Sequence, residues 1–410
     1  MATFDSIINK KKKDWNCSTL MDAANAERGP KIPFSSLMLN YATYGGIPRR
    51  RLIHFYGNYG SGKTSTCIDL CKRAYDIFEQ EFQEQVYKLQ ERSVTDKSAA
   101  GELEELKDHG IKKVLYLDLE HTFDSVWAKS LGINPEHIKV MQPPNVIAED
   151  ILQTLLDLIV TGEVGLIVID SIPSLTTAAE LKKNLDEKTV ASKAGLLTTF
   201  VTKVIPLLDR YDCTIIMVNQ NRDNLVNPYV TNTPGGRAIK FYSSLMLEFS
   251  IGEPVDFLGN VLPQKAENPA GYKINVKVTK QKTAPFDRKN ASYYLMATSG
   301  IRTDMDLAQL AVTKYNIIKK SGAWFTVSDP YTGEIYDDPN TGKTLKLQGM
   351  AKVYDYINEN RDYYQKLEKF ILEDLSGTDH TDVAEDFEEE YSLTSLIPTG
   401  KPVGLYDNPE

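Results

Sequence analysis

The sequence predicts an α/β fold: a twisted, mostly parallel sheet flanked by helices. Two observations carry that reading. From Lys31 to Glu180, short apolar runs alternate with helix-like segments, the order that strand–helix–strand crossovers require. The runs LIHFYG (52–57), KVLYLDLE (113–120), GLIVID (165–170) and CTIIMVNQ (213–220) are β-branched and nearly continuous in hydrophobicity. Strands covered on both faces read that way, whereas half-solvated strands alternate.

Around these runs the chain divides into four parts. Residues 1–32 are polar, carry the run Lys10–Lys13, and are expected to form an N-terminal oligomerisation arm or short helix. The core spans 33–300, with LMLEFSI (245–251) and YKINVKV (272–278) as later strands of the same sheet. Between Asp76 and Gly110 the chain is dense in Glu, Gln and Lys, which predicts an exposed helical insertion between the first helix, STCIDLCKRAYDIF, and the next strand. Residues 301–375 read as a small α+β domain, and 376–410 as an acidic, disordered tail. No internal repeat stands out.

Composition narrows the function classes. With 410 residues, 41% hydrophobic and 25% charged, the chain can bury a large core without staples. It has no apolar run of membrane-spanning length and no basic-then-apolar secretory start, so a cytoplasmic protein without membrane partners is expected. Cys17, Cys67, Cys71 and Cys213 form no CxxC pair and have no His at ligand spacing. Cys67 and Cys71 therefore read as buried thiols on one helix. The net charge is −9, and nine acids between Glu373 and Tyr391 account for all of it. The remaining body is neutral, which leaves room for a local basic DNA groove that such a tail can compete for.

The motif that carries chemistry is GNYGSGKT, from Gly57 to Thr64, directly after the first apolar run and before a helix. Its residues Gly57, Asn58, Tyr59, Gly60, Ser61, Gly62, Lys63 and Thr64 match a P-loop in sequence and context, and Ser65, which follows, is expected at the same nucleotide site. The glycines let successive N–H groups face a phosphate, and the helix N-terminus adds its dipole. Lys63 supplies a fixed charge for the β- and γ-phosphates of a nucleotide, and Thr64 a hydroxyl for Mg²⁺. Asp170 ends the run GLIVID, where a carboxylate helps hold that magnesium. Glu120 ends KVLYLDLE, where an acid can deprotonate an attacking water. Asp118 lies two residues earlier on the same face, so the chemistry alone leaves the choice between them open. Gln220, ending TIIMVNQ, is an amide able to donate to the γ-phosphate.

Taken in order, the P-loop, LDLEHTFDSVWAKSLGI, LIVIDSIPSLTTAAEL, IIMVNQNR, TPGGRAIKFYSS and VTKQKTAPF resemble the RecA-family homologous recombinases over roughly Pro33 to Lys320. The short divergent N-terminus and the charged insertion suggest a phage-encoded or distant bacterial-type member. The resemblance implies a RecA-type P-loop NTPase core and DNA-stimulated hydrolysis of ATP with Mg²⁺. It also implies a helical filament on single-stranded DNA that pairs with duplex DNA, with single-strand binding and mediator proteins as partners. By the same resemblance Glu120 is the base, Asp170 the magnesium acid and Gln220 the switch toward DNA, while Asp124 and Trp127 contact the adenine. Two loops would grip DNA, Leu181–Val190 and Asn221–Gly236. In them Lys183 and Arg222 would neutralise phosphates, Val190 and Leu225 would enter between bases, and Gly235 and Gly236 would close the second loop. Asn58 and Tyr59 stand where the family usually has Pro-Glu.

Lys280 and Lys282 follow Ile274, Val276 and Val278 on one strand parity, so two cations are expected where an apolar face ends. By resemblance they reach the neighbouring subunit's nucleotide in the manner of an arginine finger, with Lys240 and Phe241 at the same subunit contact. A mediator or ATP-gated DNA-binding filament without strand exchange would carry most of these parts. A ring helicase fits less well, since the residues before the core leave no room for its N-terminal domain.

Overall fold

Nine strands build the central sheet among the described residues: β1 (Leu52–Gly57), β2 (Lys113–Asp118), β3 (Ile138–Met141), β4 (Val164–Asp170), β5 (Thr214–Gln220), β6 (Leu245–Val255), β7 (Gly271–Gln281), β8 (Asn290–Met296) and β9 (Gly300–Ile301). Their order across the sheet is β9-β8-β7-β6-β1-β5-β4-β2-β3. From β6 to β3 every pairing is parallel, and from β6 to β9 every pairing is antiparallel. The α/β reading from the apolar runs therefore holds. This computed structural model describes Ser6 and residues 29–145, 147–182, 192–223, 231–232, 236–339 and 341–377, and residues 29–376 form one compact unit.

Among the described residues, the helices of six or more residues are α1 (Leu37–Thr43), α2 (Lys63–Ser93), α3 (Ser98–His109), α4 (Ser125–Ser130), α5 (Ala148–Val160), α6 (Ser192–Arg210), α7 (Gly236–Tyr242), α8 (Thr303–Thr313), α9 (Gly349–Glu359) and α10 (Arg361–Gly377). Two apolar clusters cover the two sheet faces. Ile53, Phe55, Val114, Tyr116 and Val168 join α2 on one side. Leu52, Leu115, Ile167, Ile215 and Met217 join α5 and α6 on the other. Successive residues of one strand go to opposite clusters, which explains why those strands read as continuously apolar. No described helix is long and apolar enough to cross a membrane.

Two sequence readings need correcting here. The first helix does not end near Phe78; α2 continues unbroken to Ser93, and α3 returns beside it, joined by Arg92 Nη2 donating to Glu102 Oε1 at 2.6 Å. Nothing between Phe78 and Ser93 stops it, since the segment is built of strong helix formers without Gly or Pro. The segment is helical and largely exposed, and it is an extension of the P-loop helix. An internal repeat also exists. Asp-Pro-x-Thr-Gly occurs at 329–333 and again at 338–342. Gly333 N donates to Asp329 O at 3.0 Å and Gly342 N to Asp338 O at 2.8 Å, each glycine at positive φ, so the two copies share this backbone bond. They follow the small sheet strand Trp324–Val327, which pairs with Ile318–Ser321 and Lys346–Gln348. Glu373 and Asp374, counted above with the acidic run, belong to α10 and accept from Tyr331 OH and Tyr315 OH at 2.8 and 2.7 Å.

Candidate functional site

Gly57, Asp118, Asp170 and Gln220 are the last residues of β1, β2, β4 and β5. Gly57 lies level with Gln220, and Asp118 level with Asp170. The parallel sheet thus delivers four separate sequence positions to one edge, the edge where open α/β sheets bind ligands.

The loop from Gly57 to Gly62 turns into α2 at Lys63. A Cβ on Gly57 would fall 2.0 Å from Phe249 O, so no other residue fits so close to β6. Gly62, at φ +81°, is the N-cap and offers no side chain to the first turn, so that turn's N–H groups face outward for an anion. Lys63 is buried, and its Nζ donates to Gly57 O at 3.1 Å, Asn58 O at 2.7 Å and Ser61 Oγ at 3.3 Å. All three partners are neutral. Burial pulls its pKa down, opposed by Asp170 and Glu120, so an anion in the loop would satisfy a cation that the protein leaves without a direct counter-charge here. Asn58 and Gly60 are exposed and Tyr59 is 90% exposed, at the loop tip.

Beside this cradle stands a carboxylate network. Asp170 Oδ2 accepts from Thr64 Oγ1 at 2.8 Å and from Tyr116 OH at 2.6 Å. Burial raises its pKa, while those two hydroxyls oppose the rise. A buried carboxyl touching the P-loop hydroxyl is a donor set suited to a hard cation such as Mg²⁺. The residues present therefore fit magnesium and a nucleotide phosphate.

Asp118 and Glu120 sit in different surroundings. Asp118 is buried and accepts from Glu120 N at 3.2 Å, Phe123 N at 2.8 Å and Gln142 Nε2 at 2.8 Å. Burial alone would raise its pKa, but these donors bring it below the ordinary range. It anchors the loop after β2. Glu120 lies beyond the strand end, half-buried; its Oε1 accepts from Ser171 Oγ and from Gln220 Nε2, the latter at 2.9 Å. Ser171 and Tyr116 were not singled out in the sequence. Ser171 directly follows Asp170, and Tyr116 is the one aromatic in an aliphatic strand, so both had a signal.

Asp124 is the N-cap of α4, its Oδ1 accepting from Val126 N at 2.8 Å and Trp127 N at 3.0 Å. Trp127 is half-buried against the core. Asn221 N donates to Gly57 O at 3.2 Å, tying the start of the second expected loop to the end of β1. Arg222 has its backbone paired with Asn232; its side chain, together with Lys183, Val190, Leu225 and Gly235, lies outside the described residues. Gly236, at φ +78°, opens α7.

Lys280 and Lys282 reach the far end of α7. Lys280 Nζ donates to Lys240 O at 2.6 Å and Phe241 O at 2.7 Å, and Lys282 Nζ to Phe241 O at 3.2 Å. These are carbonyls that a helix leaves unpaired in its last turn. Phe241 is 71% exposed, with Lys282 Nζ 5.8 Å from its ring centre, and Lys240 is exposed. Burial and the Lys282 charge lower the Lys280 pKa to about 8. The parity rationale for this pair fails, however. Leu247 pairs with Val278 but Met246 with Lys280, so Thr279 is an extra residue in a bulge. The alternation of Ile274–Val278 is reset before the lysines begin.

A sequence model of the RecA N-terminal domain matches residues 100–302, from within α3 to just past β9. Full-length relatives align over most of the chain. Protein RecA of Fusobacterium nucleatum is 29% identical over 348 residues, 84% of this chain and 76% of the relative. Protein RecA of Borrelia duttonii is 29% identical over 375 residues, 89% and 88%. Protein RecA of Bacillus velezensis is 27% identical over 401 residues, 96% and 98%. With the strand-end site and the sheet order just described, these matches make the chain similar to RecA-family proteins over most of its length.

Proposed function

We propose that this protein is an ATP-driven DNA strand-exchange protein that assembles on single-stranded DNA as a helical filament and pairs it with duplex DNA. One observation supports the reading above the rest. Continuous contacts run from the phosphate cradle through Thr64–Asp170 and Ser171–Glu120 to Gln220, the residue before the second loop. Hydrolysis and DNA affinity are thereby joined in one network.

Lys63 and the loop N–H groups hold the β- and γ-phosphates of ATP. Thr64 and Asp170 hold magnesium, which when bound offsets the phosphate charge and polarises the bond to be broken. Glu120 takes a proton from the attacking water, and Ser171 Oγ holds the carboxylate in place by donating to the same oxygen that Gln220 uses. When a γ-phosphate is present, the Gln220 amide exchanges Glu120 for it. Because Asn221 is tied to Gly57 O, that exchange moves a loop anchored at one end. Hydrolysis returns the amide to Glu120 and loosens the grip on DNA. Lys280 and Lys282 complete the site of the neighbouring subunit, and Asp124 and Trp127 hold the adenine.

The test is the ATPase rate of the pure protein with and without single-stranded DNA, beside a joint-molecule assay. Stimulation by DNA with joint molecules formed is expected, and Lys63→Ala should abolish both. No stimulation would refute the recombinase reading. Stimulation without joint molecules would favour a mediator.

A further inference from the structure

The bulge that breaks the strand alternation before Lys280 is held by a contact that the site described above does not use. Tyr56 is the residue before Gly57, at the root of the P-loop, and its ring stacks on His54 with centres 5.2 Å apart. Its hydroxyl donates to Thr279 Oγ1 at 3.0 Å, and Thr279 Oγ1 in turn donates to Met246 O at 3.3 Å. Thr279 is the extra residue of the bulge, and Met246 is the residue where the register slips. The relay Tyr56–Thr279–Met246 therefore pins the one point that decides which way the chain after it faces. Bulges commonly serve to re-aim a side chain. Here the side chains downstream are Lys280 and Lys282, drawn onto the carbonyls of Lys240 and Phe241.

We propose that Tyr56 and Thr279 are a positioning pair: the Tyr56 hydroxyl, acting through the Thr279 side chain, sets the bulge that aims Lys280 and Lys282 at the neighbouring subunit's phosphate cradle. This rests on the filament reading above. It adds a link within each subunit between its own P-loop strand and the two cations it lends to the next subunit. An extra bulge residue that only filled space would need no hydroxyl. This one both accepts and donates, and its donor sits one residue from the cradle.

The test uses Thr279→Val, which keeps the shape and removes the hydroxyl, with Thr279→Ser as the conservative control. In Thr279→Val filaments on single-stranded DNA, kcat for ATP hydrolysis should fall by roughly 3- to 10-fold, the worth of one neutral hydrogen bond. Binding of a fluorescent ATP analogue to the free subunit should stay unchanged, because the cradle is intact. Thr279→Ser should hydrolyse within about twofold of wild type, and Tyr56→Phe should repeat the Thr279→Val defect if the valine variant folds poorly. A mixing experiment then separates positioning from plain stabilisation. Lys63→Ala subunits have no working cradle but correctly aimed lysines, so in excess they should restore hydrolysis by Thr279→Val subunits toward the wild-type rate per working cradle. No restoration, or an unaltered kcat in Thr279→Val, would overturn the pair. Wild-type filaments run alongside report on the functional reading separately: DNA-stimulated hydrolysis there, with Thr279→Val unaffected, would sink the pair and leave that reading standing.

Discussion

Replacing Asp306 with Asn should flatten the pH dependence of stability above neutrality. Asp306 sits in the first turn of α8, fully buried. Its Oδ2 accepts from Ser36 Oγ, the N-cap of α1, and from Met38 N at 3.3 Å, whereas Oδ1 is buried with no hydrogen-bond partner. Burial, reinforced by the Asp304 charge and opposed by Ser36 and Met38, pushes its pKa up to about 8. The unfolded chain releases that proton near pH 4, so the native state holds one proton more between about pH 4 and 8. Its contribution to stability is complete below pH 4 and is lost as pH rises through 8, at about 1.4 kcal/mol per pH unit. His54 works the other way. Burial lowers its pKa to about 3, with Lys240 adding to the effect, so the native state gains stability with rising pH until the unfolded histidine deprotonates near pH 6.5. The two slopes cancel below roughly pH 6.5, and from there to pH 8 wild type should lose on the order of 2 kcal/mol. For a chain of this size that is a fall in Tm of roughly 2–3 °C. Asp306→Asn keeps the shape and carries no ionisable group, so its Tm should stay level from pH 6.5 to 8, whatever constant cost its amide adds. Differential scanning calorimetry at half-unit pH steps reads the difference. Parallel curves for the two proteins would refute the assignment of this slope to Asp306.

Two further outcomes follow from the site geometry. Glu120→Gln should lower single-turnover ATP hydrolysis by roughly 10²- to 10⁴-fold with nucleotide binding retained. Asp118→Asn should instead cost about 1.5–3 kcal/mol in urea unfolding through its lost charge-assisted bonds; equal effects of the two substitutions on hydrolysis would refute their separation. Gly57→Ala, whose Cβ would lie 2.0 Å from Phe249 O, should push β1 away from β6 and abolish nucleotide binding, measured by calorimetric titration; near-wild-type affinity would show that β6 yields easily.

What the sequence disclosed was whatever depends on local pattern. The parallel strands were legible because both faces are buried, and the P-loop because its glycines and lysine serve one ligand. Non-local contacts were not legible. Asp118 and Glu120 share a parity, and only the amide of Gln142 and the backbone of Phe123, brought in by folding, separate loop anchor from site carboxylate. The lysine pair was located for a reason that fails, since the bulge at Thr279 depends on Tyr56 and Met246 far away in sequence. The run of α2 past Phe78 was readable from composition, because nothing there stops a helix. The Asp-Pro-x-Thr-Gly repeat was also in plain view, at 329–333 and 338–342.

The delivery of site residues by separate parallel strands also bears on how the protein is made. Thr64 and Asp170 are 106 residues apart, and Glu120 and Gln220 are 100 apart. At a synthesis rate of ~5–20 residues per second, Glu120 leaves the ribosome roughly 5–20 s before its amide partner exists. β1 cannot take its final place until β5 and β6, both later in the chain, flank it. A nascent chain therefore carries a finished P-loop sequence long before the strand-end site exists, and that site assembles only when nearly the whole sheet has closed around the loop.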